Sequence, residues 1–449
     1  MKKSTLIKIN AGIILFLAIY VYFQPNWSSV SALILFIGTF LAFFINNETE
    51  EDLKTKLKNR LNNKSLSRIT KIIKKLDIKV LEKIRSLNIE GLYPEELNDK
   101  YNIFFESFSS RKKLEIRTII ELINNNEFNP IVPDDEDFLI NVESKLHEIT
   151  LQNYNGSQVV IKNPKLMWEC SCNGDIKKNK DTCPIHKNFN NFKKARKFSK
   201  DFRERLVKIK YDGIEVFWKD EKDLWPPSID SFNLISDLRN NDYDKKKIKS
   251  VLDVGTGTGF LGLWLAKKNK HVNQVSFSDW LLLPLLFSYT NFRTNNINQD
   301  VRFLLGLNTS FPLNDIDTST KYDLVICNPP YLPELGFKKI AKHSTVAGTQ
   351  LLKSIIKSGL NIGNEVIISF SEIVLPEAIE AAQSLGINIE ECRIGGPHPV
   401  PFRVPIALRN KKYMKKLLKE RALSPNPESQ FKYWHNINTY KLKTLANTL

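Results

Sequence analysis

Ser250-Val251-Leu252-Asp253-Val254-Gly255-Thr256-Gly257-Thr258-Gly259 is a short apolar run that ends in alternating glycines. Phe260-Leu261-Gly262-Leu263-Trp264-Leu265-Ala266 continues from it at helical spacing. The pattern predicts strand, tight turn and helix, the opening unit of a Rossmann-like α/β sheet. Glycine is needed there because the backbone must turn sharply and let a ligand lie against it without a Cβ in the way. Asp253, Gly255, Gly257 and Gly259 are therefore the residues of the turn expected to meet a nucleotide-bearing cofactor. The turn alone leaves the cofactor open, since Gly257-x-Gly259-x-x-Gly262 also satisfies the nicotinamide-dinucleotide pattern. About 20 residues on, Val275-Ser276-Phe277-Ser278-Asp279 reads as the second strand and ends in an acid. Asp279 suits the hydroxyls of a ribose, and Trp280 offers a flat face to an adenine, although a core tryptophan is the commoner outcome.

The discriminating stretch lies roughly 70 residues after the glycines: Asn328-Pro329-Pro330-Tyr331, delivered by the apolar run Leu324-Val325-Ile326-Cys327. In open α/β sheets, ligands bind at the C-terminal ends of the strands. The lone pair of a planar amide or amino nitrogen is conjugated and points the wrong way for attack on a methyl group. An asparagine oxygen and the carbonyl of the following proline can each accept one N–H bond from such a nitrogen. Those bonds fix the group and help it pyramidalise, so catalysis is mainly positioning and electrostatics. Pro329 and Pro330 stiffen the loop, and Tyr331 supplies a stacking face. A plain proline turn after a strand would use the same residues.

Glycine turn and tetrapeptide together resemble the paired signature of an S-adenosylmethionine-dependent methyltransferase acting on nitrogen. Residues 211–410 resemble the HemK-like branch of class I methyltransferases, which includes release-factor glutamine methyltransferases and related N6-adenine enzymes. Gly213-Ile214-Glu215-Val216-Phe217 and Trp225-Pro226-Pro227-Ser228-Ile229-Asp230-Ser231 resemble that family's hairpin and proline-rich lead-in, which implies a place for Pro227 in the cofactor pocket. The lead-in departs from the bacterial Pro-Arg-Pro-Glu-Thr-Glu and looks closer to the archaeal and eukaryotic form. Asn308 stands where the family's third strand carries an acid, and its amide would still reach the cofactor adenine. Val346-Ala347-Gly348-Thr349-Gln350 resembles the start of the helix after the catalytic loop. The resemblance implies S-adenosyl-L-methionine as cofactor and a macromolecular acceptor: a protein nitrogen of glutamine type, or alternatively N6-adenine in RNA or DNA. A catalytically silent membrane scaffold is the reading from a different class.

Around this core the chain has 449 residues and a formal net charge of +17. Leu6 to Phe23 and Val30 to Ile45 are apolar runs near the lower limit of roughly 17 residues for a spanning helix. Lysines precede the first run, Lys54, Lys56, Lys58 and Arg60 follow the second, and the link between them has no Lys or Arg. By the positive-inside rule this predicts a two-helix hairpin over residues 1–47, in the cell membrane, with the catalytic domain in the cytoplasm. Five cysteines point to a reducing compartment rather than a disulfide framework. Residues 54–85 carry twelve Lys/Arg against two acids, with Leu66, Ile69, Ile72, Ile73 and Leu76 at helical spacing. That suits an amphipathic helix against anionic lipid, or simply a solvated helix face. Residues 48–150 read as a basic, mostly helical accessory region.

In residues 151–210, Cys170-x-Cys172 is followed, after ten intervening residues, by Cys183-Pro184-Ile185-His186. Three thiolates and an imidazole would complete a closed tetrahedral zinc site; free thiols and an iron–sulfur or redox role are the alternatives. Cys327 and Cys392 read as core residues. Gly395 to Pro405 is dense in turn residues and reads as the irregular last hairpin of the sheet, with His398 and Arg403 candidates to touch the acceptor. Residues 411–449 read as a basic helix and a tail in which Phe431 to His435 mix aromatics with cations. That mixture suits single-stranded nucleic acid or domain packing.

Overall fold

The computed structural model of the chain describes residues 50–62, 64–86, 110–127, 130, 138–142, 148–153, 158–162, 206–219, 221, 224–306, 321–331, 349–392, 398–402, 411–420, 423–425 and 433–445. The chain divides into two units, residues 1–60 and 61–449. Nearly all of helix α1 (Glu50–Leu61) belongs to the first. The expected membrane hairpin and the Cys170, Cys172, Cys183 and His186 cluster lie outside the described residues. Among the described residues, no helix is long and apolar enough to cross a membrane, and no cluster of His, Cys, Asp and Glu is set to hold a metal.

The second unit is built on a mixed sheet in the order β11-β14-β10-β9-β6-β7-β8, in which β11 is Ile387–Glu391 and β14 is Tyr433–Thr444. Its parallel strands are β6 (Ser250–Val254), β7 (Gln274–Asp279), β8 (Asp300–Leu305), β9 (Tyr322–Cys327) and β10 (Gly363–Ser371). Val251, Leu252, Val275, Phe277, Leu324, Val325, Ile326, Val366, Ile367 and Ile368 are all buried, the near-continuous apolar run of strands covered on both faces. Helices α4 (Ile229–Asn240), α5 (Phe260–Lys268), α6 (Leu282–Thr294), α7 (Gln350–Ile362) and α8 (Leu375–Gln383) flank the sheet. From β6 the chain runs outward through β7 to β8, then returns to place β9 on the other side of β6. That reversal opens a crevice at the C-terminal ends of β6 and β9, the usual ligand position of such sheets.

Three findings revise the sequence expectations. The tail does not stand apart from the sheet. Strand β14 (Tyr433–Thr444) pairs antiparallel between β10 and β11 (Ile387–Glu391), and β12 (His398–Pro401) and β13 (Ser424–Pro425) pair with it as well. Between them, helix α9 (Lys411–Lys419) seats Tyr413, Met414 and Leu417 in the core and leaves its lysines outside.

The accessory region, helical over α1 and the two helices that follow, ends in strands that its reading as a helical region did not include. After α2 (Leu66–Ser86) and α3 (Ser110–Asn124) come β1 (Phe138–Val142), β2 (Glu148–Asn153) and β3 (Gln158–Lys162). These join β4 (Leu206–Tyr211) and β5 (Ile214–Lys219) in a second sheet of order β3-β2-β1-β4-β5. Ile140 and Val142 alternate about Asn141 and Val159-Val160-Ile161 run on without a break, β-branched residues suited to strands. The β4–β5 hairpin turns through Asp212 and Gly213, both at positive φ (50° and 79°), as a type I′ turn requires.

The third revision concerns α2. Leu66, Ile69, Ile73 and Leu76 are buried in the main hydrophobic core. From Leu66 to Leu76, the apolar face expected to meet lipid is therefore taken up by protein packing.

Side-chain amides join the two sheets. On α6, Asn291 accepts from Phe217 N (2.7 Å) and donates to Phe217 O (3.1 Å). One turn later Asn295 does the same for Glu215, at 2.9 and 2.6 Å. The two amides occupy ladder positions of edge strand β5 and meet the backbone N–H and C=O groups of Glu215 and Phe217. Asn291 also donates to Thr258 O (2.8 Å), which ties the second sheet to the glycine turn.

Candidate active site

The glycine turn sits at the end of β6 with Gly255, Gly257 and Gly259 all at positive φ (65°, 57° and 81°), a region side-chain-bearing residues rarely adopt. Space is short as well. A Cβ on Gly255 would lie 2.9 Å from Leu351 Cδ2, and one on Gly262 would lie 2.7 Å from the Phe277 ring. Asp253, 1% exposed, accepts from Thr256 Oγ1 (2.9 Å) and Gly262 N (3.0 Å) through Oδ2. It braces the turn from within. Burial pushes its carboxyl up to about 7 against the lowering effect of those two bonds, and the nearby Asp279 charge adds to the rise.

Asp279, at the end of β7, accepts from Gly257 N (3.2 Å) through Oδ2 and from Leu281 N (3.3 Å) through Oδ1. Trp280 beside it is half-buried against the main core. Gly306 N bonds Asp279 O at 2.8 Å, so the ends of β7 and β8 are held together. Asn308 follows but lies outside the described residues. Pro227 is buried in the lead-in to α4. The backbone O of Trp225 lies 3.6 Å from where a Gly257 Cβ would stand, while the residue is 58% exposed. Lead-in, turn and Asp279 thus converge on one side of the crevice.

Asn328 emerges at the end of β9, on the other side of the switch point. Its Nδ2 donates to Ser231 Oγ at 3.3 Å, which leaves Oδ1 as the acceptor end of the amide. Pro329 is buried and Pro330 half-buried. Tyr331 donates its hydroxyl to Asp230 Oδ2 at 2.8 Å. Burial pushes the Asp230 carboxyl up to about 6, with the Tyr331 bond the largest effect acting downward. The two acceptor-side residues are therefore held by consecutive residues of the lead-in, Asp230 and Ser231. Sequence reading quoted both and assigned neither.

His435, read only as part of an aromatic and cationic tail, stands behind the acceptor-side loop. It is 7% exposed, lies with Nδ1 2.7 Å from Ser371 Oγ, and has its ring 5.9 Å from Tyr331 and 5.5 Å from Phe402. Burial drags its pKa down to about 3, so it is neutral at pH 7. It forms part of the wall behind Tyr331. Its signal in the sequence was an aromatic-rich tail, and nothing local ties position 435 to 331. His398 pairs by its backbone with Ile437 in the last hairpin. Arg403 lies outside the described residues. Cys327 and Cys392 are free, the first buried and the second half-buried.

Among known proteins, the methyltransferase small domain family matches residues 229–354. A protein of Methanocaldococcus jannaschii, provisionally named a protein N5-glutamine methyltransferase, is 28% identical over 207 residues, 43% of this chain and 93% of its own length. Among solved structures, TYW2 of M. jannaschii in complex with AdoMet matches 53% of this chain and 86% of its own, at 14% identity and a TM-score of 0.30. The ribosomal protein L11 methylase of Lactobacillus delbrueckii subsp. bulgaricus matches 48% and 78%, at 16% identity and a TM-score of 0.29. Those two scores are too low to carry an argument. The domain match and the curated relative, on a Rossmann-like α/β sheet, mark the chain as an S-adenosylmethionine-dependent methyltransferase.

Proposed function

We propose that the chain methylates a planar nitrogen of a protein, of glutamine side-chain type. The observation that carries this is the position of Asn328, at the end of β9 beside the glycine turn of β6, with its amide oriented by Ser231. S-adenosyl-L-methionine supplies an electrophilic methyl group on its sulfonium. Gly255, Gly257, Gly259, Asp279, Trp280, Pro227 and Asn308 hold it, with Asp253 shaping the turn. Asn328 Oδ1 and the Pro329 carbonyl accept the two amide N–H bonds. The nitrogen lone pair is thereby freed to form the new N–C bond as the S–C bond breaks, and one N–H proton leaves to solvent. Tyr331, clamped by Asp230 and backed by His435, lies under the acceptor group, and Pro330 stiffens the loop. The relative's name supports glutamine over adenine.

The test incubates wild type and Asn328→Ala with methyl-labelled cofactor and fractionated host extract. Asn328-dependent label in protein, resistant to nuclease, is the expected result. Label in RNA or DNA would overturn the acceptor class. Two finer assignments belong to the same reading. Cys170, Cys172, Cys183 and His186 hold a structural zinc, so metal analysis of purified chain should give one zinc that Cys183→Ser loses. Residues 1–47 anchor the enzyme in the cell membrane with the catalytic domain in the cytoplasm. Activity should therefore sediment with membranes and resist carbonate extraction, and recovery in the soluble fraction would reject the anchor.

A further inference from the structure

Helix α2 reaches the cofactor side of the sheet through one carboxylate. Asp77, 3% exposed, accepts from Leu282 N at 3.1 Å through Oδ1 and from Leu283 N at 2.9 Å through Oδ2. Leu282 and Leu283 open α6, and the first N–H groups of a helix have no acceptor within it. The residue before them, Leu281, has no side-chain oxygen with which to cap. The cap comes instead from a side chain 205 positions away, and its charge meets the positive end of the helix dipole. Lys74, one turn earlier on α2, pairs with Glu221 in the segment ahead of Trp225. The accessory helix thus binds both the start of α6 and the segment ahead of the lead-in.

Between Asp77 and the glycine turn the contacts are continuous. Asp77 takes the amides of Leu282 and Leu283; Asp279 takes those of Leu281 and Gly257. Two carboxylates share one run of backbone donors. If Asp77 were lost, two buried N–H groups would be unmet beside Asp279, which already takes the adjoining amide of Leu281. It would then be drawn towards α6 and away from a ribose. We propose that Asp77 is a positioning residue for S-adenosyl-L-methionine, through which the accessory helix sets the aim of Asp279 and Trp280. The proposal rests on the assignment of those two residues to the cofactor.

The test uses the full chain, S-adenosyl-L-methionine titrated by calorimetry, and a ligand-free thermal melt for each variant. Asp77→Ala should raise the cofactor Kd about ten-fold, the effect of losing one to two charge-assisted bonds. Asp77→Asn keeps one acceptor oxygen and so keeps the test open if the alanine variant fails to fold; it should raise Kd about three-fold. Thr70→Val, a buried change on the same helix whose hydroxyl bonds Leu66 O, should lower the melt and leave Kd alone. That comparison separates positioning from mere loss of stability. An unchanged Kd in both Asp77 variants overturns the proposal. Asp279→Ala then says why: if it weakens binding, only the Asp77 link fails, and if it does not, the cofactor assignment itself falls.

Discussion

Asn328→Ala should lower methyl transfer by about 10²–10³-fold or more, the usual cost of removing a preorganised polar group aimed at the reacting centre. The Kd for S-adenosyl-L-methionine should stay within about two-fold of wild type, because the turn, Asp279 and Trp280 are untouched by the change. The asymmetry follows from the sheet. The cofactor contacts gather at the ends of β6 and β7, whereas Asn328 comes from β9 and faces Ser231 of the lead-in. Alanine removes the Oδ1 acceptor and also leaves the Ser231 hydroxyl without its amide partner. Asn328→Asp restores an acceptor oxygen but not the donor to Ser231, so it should recover part of the rate. A rate for Asn328→Ala equal to wild type would remove Asn328 from the mechanism.

What the sequence made legible is what is contiguous in it. Strand, glycines and helix between Ser250 and Ala266 form one local unit, and Asn328 to Tyr331 carry their chemistry in four residues. Positive φ at Gly255, Gly257 and Gly259 was readable because only glycine suits such a turn. What was not legible depends on pairing at a distance. The Asp230–Tyr331 bond and the His435 wall join residues roughly a hundred positions apart, and no local pattern encodes such contacts. Helix α2 shows the other limit. Its spacing announced an apolar face correctly, but periodicity cannot say whether lipid or protein covers that face, and here the main core does. Asn291 and Asn295 carry no local signal in the sequence that marks them. Their role appears only once β5 lies against them.

Ending the chain after residue 432 should abolish folding of the catalytic unit, although the sequence there reads as a tail that mixes aromatics with cations. Strand β14 lies inside the sheet, hydrogen-bonded to β10 on one side and to β11 on the other. It buries Ile437, Tyr440 and Leu442 almost completely. At about 1.5–3 kcal/mol for each large side chain, those three alone approach the roughly 5–15 kcal/mol that holds an ordinary domain together. Polar ties go with them. Thr439 donates to Asp237 at 2.6 Å, Asn436 and Asn438 each donate to Glu372 at 2.9 Å, and Lys441 pairs with Glu365. The truncation would also bare the facing edges of β10 and β11, an invitation to intermolecular pairing. The expected outcome is aggregated protein with no cooperative melt and no cofactor binding, whereas a chain ending at residue 445 should behave as the full one. A soluble, cofactor-binding chain ending at 432 would mean that β14 is an ornament on a self-sufficient sheet. In that case His435 could not be what backs Tyr331.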